Sequence, residues 1–361
     1  MPRINFAKLL LVVVLTFSAQ LASAFTLITV YQVGHCKFRL KKIPAYNTIS
    51  DALAATPAPD VVEVCPGTYN EQIEITRPVI LEGIKSGDSD QVIIAPPAGG
   101  FVQNAKNYFG EFIAAQIWVN NATGPVTITD ITLDAANELE VFGADVTGIF
   151  YQNSDGTVNR VTARNQAYGV WLEGGAQSVT IESSSIHDFS HIGIFVLPPS
   201  QTPKFTAIIG DNVLKSSQQF STGVDLWFVT AEVTNNLVTD AVTGILVGNG
   251  TIGSKISGNT LTDNQVGVVV ATLDGVSLTS NKIYNSTGQA ITLESPIGVE
   301  DIVGNSIINT PVGIEFNCLA NGNVKSNTII DAGTALDMVP LATTSNNSYS
   351  NVGTIRTGGC P

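Results

Sequence analysis

The chain has 361 residues, 44% of them hydrophobic and only 13% charged, with 30 acidic against 17 basic side chains for a net charge of −13. A chain of that length and apolar content can bury a large core. Its acidic balance and the lack of any basic patch argue against nucleic acid as a partner.

Residues 1–24 carry Arg3 and Lys8, then the apolar run LLLVVVLTF, then ASA before Phe25, the pattern of a secretory signal and its cleavage site. Once that segment is removed, 15 bases face 30 acids, a net charge of −15. No second apolar run is long enough to span a bilayer. With no lipobox cysteine after the signal, the expected location is secreted, extracellular or periplasmic.

Residues 25–60 read as an N-terminal cap. The mixed apolar and basic segment TLITVYQVGHCKFRLKK suits a strand laid across an open end, and Thr48 caps a short helix, ISDALAA, stopped by TPAPD. Four cysteines, Cys36, Cys65, Cys318 and Cys360, permit three pairings. With no CxxC and no His-rich cluster, zinc is not indicated. The expected disulfides are Cys36 with Cys65 and Cys318 with Cys360, one in each terminal region, where each would pin an end against fraying.

Strand-like segments begin at VVEVCPGTYNEQIEITRPVILEGI, residues 61–84. Between 85 and 121 the period is lost in Gly, Ser and Pro, which predicts long loops. Regular segments resume at Pro125, Asn159 and Val179, the last with Ser184 where later copies have Asn.

From 207 to 344 one unit is written six times. Its marker residues are Asn212, Asn236, Asn259, Asn281, Asn305 and Asn327, spaced by 22 to 24 residues. An aliphatic stands three residues before each Asn and another two after it. The strand that follows reads GVDLW, GILVG, GVVVA, AITLE, GIEFN and ALDMV, with apolar second and fourth letters and variable third and fifth. One face of that strand is therefore buried and the other is not.

A unit of about 23 residues with no helical period is too short for a propeller blade and lacks the LxxLxL pattern of leucine-rich repeats. It fits one rung of an all-β, single-stranded right-handed parallel β-helix, a solenoid spanning 61–344 behind the short capping helix, with a C-terminal tail at 345–361. Equivalent side chains then stack in columns about 4.8 Å apart. The Asn column is structural: each amide would sit at a bend that needs an αL-tolerant residue and bond its neighbours.

Residues Pro66, Gly67, Tyr69 and Glu71, then Thr76, Pro78, Leu81 and Gly83, resemble the entry rungs of the pectin-lyase-like superfamily, pectin methylesterases in particular. The later repeats resemble NosD-like β-helix proteins. That resemblance implies the β-helix fold and polysaccharide chemistry. It does not carry a catalytic set: the methylesterase segments DFxFG and LGRPW, the polygalacturonase NTD, DD, GHG and RIK, and the arginine-centred motif of pectate lyases have no counterparts here.

Chemistry must then be sought on the outward letters. The third letters run Trp171, Phe195, Asp225, Leu246, Val269, Thr292, Glu315 and Asp337; the fifth run Glu173, Leu197, Trp227, Gly248, Ala271, Glu294, Asn317 and Val339. One patch joins Trp171, Phe195 and Trp227 with Glu173 and Asp225, and His187 and His191 lie in the rung that contributes Phe195. Exposed aromatics there could stack on pyranose rings, and the two carboxylates, about 10 Å apart by rung spacing, could serve as an acid and base pair. The plain alternative is packing beneath a loop such as LPPSQTP, residues 197–203. A second patch, Glu294, Glu315 and Asp337, offers a Ca²⁺ site or, more simply, a solvated open face. Two functions remain open: a non-catalytic secreted protein that binds polysaccharide or builds an envelope or matrix, and a polysaccharide lyase, glycoside hydrolase or carbohydrate esterase.

Overall fold

The computed structural model describes residues 28–34, 36, 43–85, 91–175, 178–198, 205–272, 275–294, 299–317, 320–337 and 342–358. The signal segment, Cys318, Met338, Val339 and Cys360 lie outside the described residues.

Each rung makes three straight runs. Thr230–Thr234, Leu237–Thr239 and Thr243–Val247 form one, and Lys255–Ser257, Thr260–Thr262 and Val266–Val270 the next. The first run of every rung joins a 14-stranded sheet, and the other two share a 24-stranded sheet. Pairing between rungs is parallel and in register, as in Ile245 beside Val268 and Val268 beside Ile291. Two local hairpins are antiparallel: Ala105–Lys106 against the start of Phe112–Asn120, and Glu140–Val141 against the start of Ala144–Gln152. The chain is thus a right-handed parallel β-helix, as the repeat predicts.

Alternation places the second and fourth letters inside. Val224, Leu226, Ile245, Val247, Val268, Val270, Ile291, Leu293, Ile314, Phe316 and Leu336 are all buried in one continuous core. Each such side chain contributes about 1.5–3 kcal/mol. The small residue that opens the strand is a close-packing requirement: a Cβ on Gly193 would lie 2.7 Å from the Gly223 carbonyl of the next rung.

The Asn column forms an unbroken hydrogen-bonded ladder. The backbone N–H and Nδ2 of Asn259 both donate to Asn281 Oδ1 at 3.0 Å, and Nδ2 also donates to the Val233 carbonyl of the preceding rung at 2.9 Å. The pattern repeats at Asn212, Asn236, Asn281, Asn305 and Asn327 and ends on Asn347. Ser184 occupies the slot before Asn212 and accepts nothing from it; its N–H donates to Asn212 Oδ1.

The bend itself is arranged differently from the expectation. The left-handed residue is the one before each ladder Asn, namely Asp211, Asn235, Gly258, Ser280, Gly304, Ser326 and Asn346. Those positions need a residue that tolerates positive φ. The ladder Asn keeps a negative φ and spends its amide wholly on hydrogen bonds.

At the N-terminal end, Val30–Val33 pairs with Val61–Val64, and the helix Ile49–Ala54 covers the first rung. Thr48 Oγ1 accepts from the Asp51 N–H at 3.0 Å, and the Glu71 carboxylate accepts from the N–H groups of Ile49 and Ser50 at 2.8 and 3.0 Å. The Cys36–Cys65 disulfide, with Cα atoms 5.3 Å apart, ties this cap to the first rung. Two boundaries differ from the sequence reading. Phe112–Asn120, expected within loops, is a full nine-residue rung strand, and the expected tail supplies one more rung, Thr343–Ser345, Ser348–Ser350 and Thr354–Arg356.

Candidate functional site

Register fixes what stands beside what on the outer face of the long strands. One column runs Trp118, Phe150, Trp171, Phe195, Asp225, Leu246, Val269, Thr292, Glu315 and Asp337. The column two residues further along begins Asn120, Gln152, Glu173. Strand alternation therefore assembles four consecutive aromatic rungs followed by a carboxylate.

The aromatic patch is largely covered. The hairpin at 101–113 folds over it, so that Ala105, Ile113 and Ala115 pack with fully buried Phe150 and with Trp171, only 3% exposed. Among the described residues the covering element is this hairpin, which comes from the stretch where the period is lost; residues 199–203 of the loop LPPSQTP lie outside the described residues. Trp171 is not an open stacking platform, because a rung-long strand anchors the hairpin directly above it.

What remains accessible lies just beyond the hairpin. Tyr168, three residues before Trp171 at the start of the same strand, stacks on His191 with centroids 5.6 Å apart and planes at 15°, and on Phe195 at 5.7 Å and 26°. His191 is exposed and Tyr168, Phe195 and Trp227 are half-buried. His191 Nδ1 lies 2.9 Å from Ser190 Oγ. Trp227 leans toward the C-terminal rungs across Gly248, where any Cβ would run into its indole.

The two carboxylates predicted from sequence are both buried, Glu173 at 3% and Asp225 at 9% exposure. Burial pushes the Asp225 carboxyl up to about 7, against hydrogen bonds from the Trp227 side chain and the Leu226 backbone. Burial raises Glu173 too, although it receives hydrogen bonds from the Tyr108 backbone and from Gln152 Nε2 at 3.1 Å. Asp225 Oδ1, Glu173 Oε2 and Trp171 Nε1 are enclosed without a hydrogen-bonding partner. Unmet polar groups of this kind cost stability.

Asp145 joins this group. Burial raises its carboxyl, His191 opposes that shift, and Glu140 and Glu111 add to it. The Tyr168 hydroxyl is raised by burial and by the nearby charges of Asp145, Asp225 and Glu111.

His187 does not belong to the patch. It ends the short strand Ser185–His187, in a separate column between Arg164 and Lys215, and its Nδ1 lies 2.6 Å from Asp188 Oδ2. In the second patch Glu315 and Asp337 are register partners, with Thr292, not Glu294, next in their column. Asp337 accepts a hydrogen bond from Thr357 Oγ1. Among the described residues no three His, Cys, Asp or Glu side chains converge as a metal-ligand set.

Tyr168, Asp145, Trp118 and Phe150 were missed by the sequence reading. Aligning TGIFYQ and QIWVN with YGVWLE would have extended the aromatic column upstream, but Gln116 replaces the small opening residue and hides the match. Gln116 fits because its amide is fully buried, bonded to the Ile94 and Asp134 carbonyls and to Gln166.

Comparison with known proteins agrees with this architecture. A family profile described as "Right handed beta helix region" matches residues 115–271, and one described as "Periplasmic copper-binding protein (NosD)" matches 204–358. No curated protein matches the chain. Among solved structures, the A-module of mannuronan C-5 epimerase AlgE4 from Azotobacter vinelandii superposes with a TM-score of 0.56 at 14% identity, over 82% of this chain and 88% of that one. The catalytic domain of a GH87 α-1,3-glucanase in complex with tetrasaccharides gives 0.58 at 14% identity, over 90% and 70%. A GH136 lacto-N-biosidase from Eubacterium ramulus gives 0.54 at 10% identity, over 93% and 69%. At such identities the likeness is one of fold.

Proposed function

We propose that this right-handed parallel β-helix binds polysaccharide outside the cytoplasm, on the outer face between Tyr168 and Trp227. The observation that carries this reading is the half-open stack of Tyr168, His191 and Phe195 beside buried carboxylates. A flat aromatic surface edged by hydrogen-bond acceptors is what a pyranose ring and its hydroxyls require. The disulfide at the cap and the similarity to a family described as periplasmic support a location outside the cytoplasm.

A second reading, cleavage or modification of the glycan, is favoured by Asp225. A carboxyl held at about 7 is partly protonated at neutral pH and can give or take a proton. Affinity electrophoresis against plant, algal and bacterial polysaccharides tests binding: Tyr168→Ala and Trp227→Ala should each weaken retention about tenfold or more, and unchanged retention would overturn the proposal. New unsaturated ends, reducing ends or released methanol, lost in Asp225→Asn, would establish the second reading.

A further inference from the structure

The hairpin that covers Phe150 and Trp171 also divides the outer face, and a separate cavity of about 360 Å³ opens on its upstream side. Its walls are Trp118 and Phe112, with Gln103, Asn104, Lys106 and Gln152 between them. Trp118 stands in the same column as Phe195, three rungs earlier, roughly 14 Å by rung spacing.

The polar groups of this cavity are already committed to holding its shape. Trp118 Nε1 donates to Gln152 Oε1 at 3.3 Å, while Gln152 Nε2 donates to the Lys106 carbonyl at 2.7 Å and to Glu173 Oε1 at 3.1 Å. Asn104 exchanges two hydrogen bonds with the Ala115 backbone, at 2.9 and 3.0 Å. The Lys106 ammonium sits 4.4 Å from the centroid of Phe112, a ring that is 46% exposed. What the cavity offers a ligand is therefore two aromatic surfaces on a braced frame, with an ammonium at the rim.

Its electrostatic surroundings select among sugars. Glu74 is the register partner of Trp118, Glu111 lies on the hairpin beside Phe112, and Glu173 is bonded to Gln152. Glu173 is enclosed and burial raises its carboxyl, so the exposed charges are Glu74 and Glu111 against one ammonium, a balance that disfavours a polyuronate.

We propose that Trp118 and Phe112 form a second sugar subsite that takes one pyranose ring of a neutral glycan, upstream of the hairpin and in line with the Tyr168 to Trp227 face. The inference rests on the polysaccharide-binding reading and adds to it both a second point of contact and a substrate class. A chain engaging both contacts crosses the hairpin, so its tip residues Tyr108 and Phe109, 60% and 64% exposed, lie along that path.

The chain contains only three tryptophans, Trp118, Trp171 and Trp227. In a Trp171→Phe, Trp227→Phe protein the fluorescence reports on Trp118 alone. Neutral gluco-, manno- and xylo-oligosaccharides from tri- to hexasaccharide should shift that emission saturably, and oligogalacturonate or oligomannuronate should not. In the otherwise native chain, Trp118→Ala and Phe112→Ala should each weaken neutral hexasaccharide binding at least tenfold, and Trp118→Phe should restore most of it. Phe112 is on the exposed hairpin, so its substitution tests the site even where Trp118→Ala disturbs the rung. Glycan binding that is lost in Tyr168→Ala but unchanged in Trp118→Ala and Phe112→Ala overturns the subsite and leaves the parent reading standing. Binding lost in Trp118→Ala but unchanged in Tyr168→Ala overturns the parent reading instead, and preferential binding of uronates overturns the assigned class.

Discussion

The two halves of the solenoid solve the same internal position differently. In the C-terminal half it is the Asn ladder, with every amide from Asn212 to Asn327 bonded to the rungs on either side and Asn347 closing it on the last. Toward the N-terminus the equivalent positions, just before the strands that start at Thr132, Thr162 and Ser185, are Ile131, Val161 and Ser184. The ladder half keeps rungs of 20 to 24 residues, and its outward column continues through Leu246, Val269 and Thr292. The half without it carries the hairpin at 101–113, the aromatic column and the enclosed Glu173, and the site runs on to Asp225 on the first ladder rung. A ladder that bonds every rung to the next fixes rung geometry and adds stiffness; apolar stacking is less exacting and leaves room for insertions, which is where a binding face can be built.

Breaking the ladder should have the largest effect on stability. Asn259→Ala would strand the Asn236 N–H, take one acceptor from Asn236 Nδ2, and remove the side-chain donor to both Asn281 Oδ1 and the Val233 carbonyl, all in the buried ladder. A loss of about 3–5 kcal/mol is expected, read as an earlier urea midpoint with a substantially lower melting temperature. Val161→Ala at the matching apolar position should cost less, about 1–2 kcal/mol. Equal costs would mean that the halves are held alike.

The site, which reaches Asp225 on the first ladder rung, should instead respond to pH. Asp225 has its folded-state carboxyl raised from 3.8 to about 7, so the folded protein holds a proton that the unfolded chain releases. Its contribution is intact below about 4 and is lost as pH climbs through 7. The protein should melt at lower temperature at pH 8 than at pH 5.5, and Asp225→Asn should flatten that slope and raise stability at pH 8 by about 1–3 kcal/mol. Asp130 works in the opposite direction at lower pH: Arg160 and Lys85 overcome its burial and hold it at about 2, so its support disappears only below about 4. The two groups therefore act in separate windows. A melting profile with no slope between pH 5.5 and 8, or one that persists in Asp225→Asn, would remove Asp225 as its source.

At the accessible stack, His191→Ala should separate binding from stability. The ring is exposed and faces Tyr168 on one side only. Glycan retention should fall several-fold while the melting temperature moves by less than a shift of about 0.5 kcal/mol would produce. A large destabilisation with unchanged retention would make the stack an internal brace.

Most of the fold was legible because a period of 22 to 24 residues, with Asn and aliphatics in fixed slots, has one economical explanation. The core letters from Val224 to Leu336, the ladder, the Thr48 cap and the Cys36–Cys65 pair all follow from local pattern. The site was only half legible. Outward letters can be placed in columns, so Trp171, Phe195 and Asp225 were found side by side, but their exposure depends on a hairpin inserted from another rung. No periodicity encodes where an insertion folds. His187 was misassigned for a related reason: proximity in sequence to Phe195 does not tell which of a rung's three straight runs a residue occupies.

The smallest effect should come from the second acidic patch, in the ladder half. Glu315 and Asp337 stand opposite each other on adjacent rungs, about 4.8 Å apart along the axis, and like charges so placed repel. Asp337 has the Thr357 hydroxyl as a hydrogen-bond donor, and Glu294 sits in a neighbouring column, exposed to solvent. Solvent and salt screen most of such a repulsion. Glu315→Gln should therefore stabilise the protein by only about 0.2–0.5 kcal/mol, with glycan retention unaltered and the gain shrinking as salt is raised. Were millimolar calcium to raise the melting temperature of the native chain and not of Glu315→Gln, the pair would be a cation site, and chemistry would extend well beyond the first ladder rung.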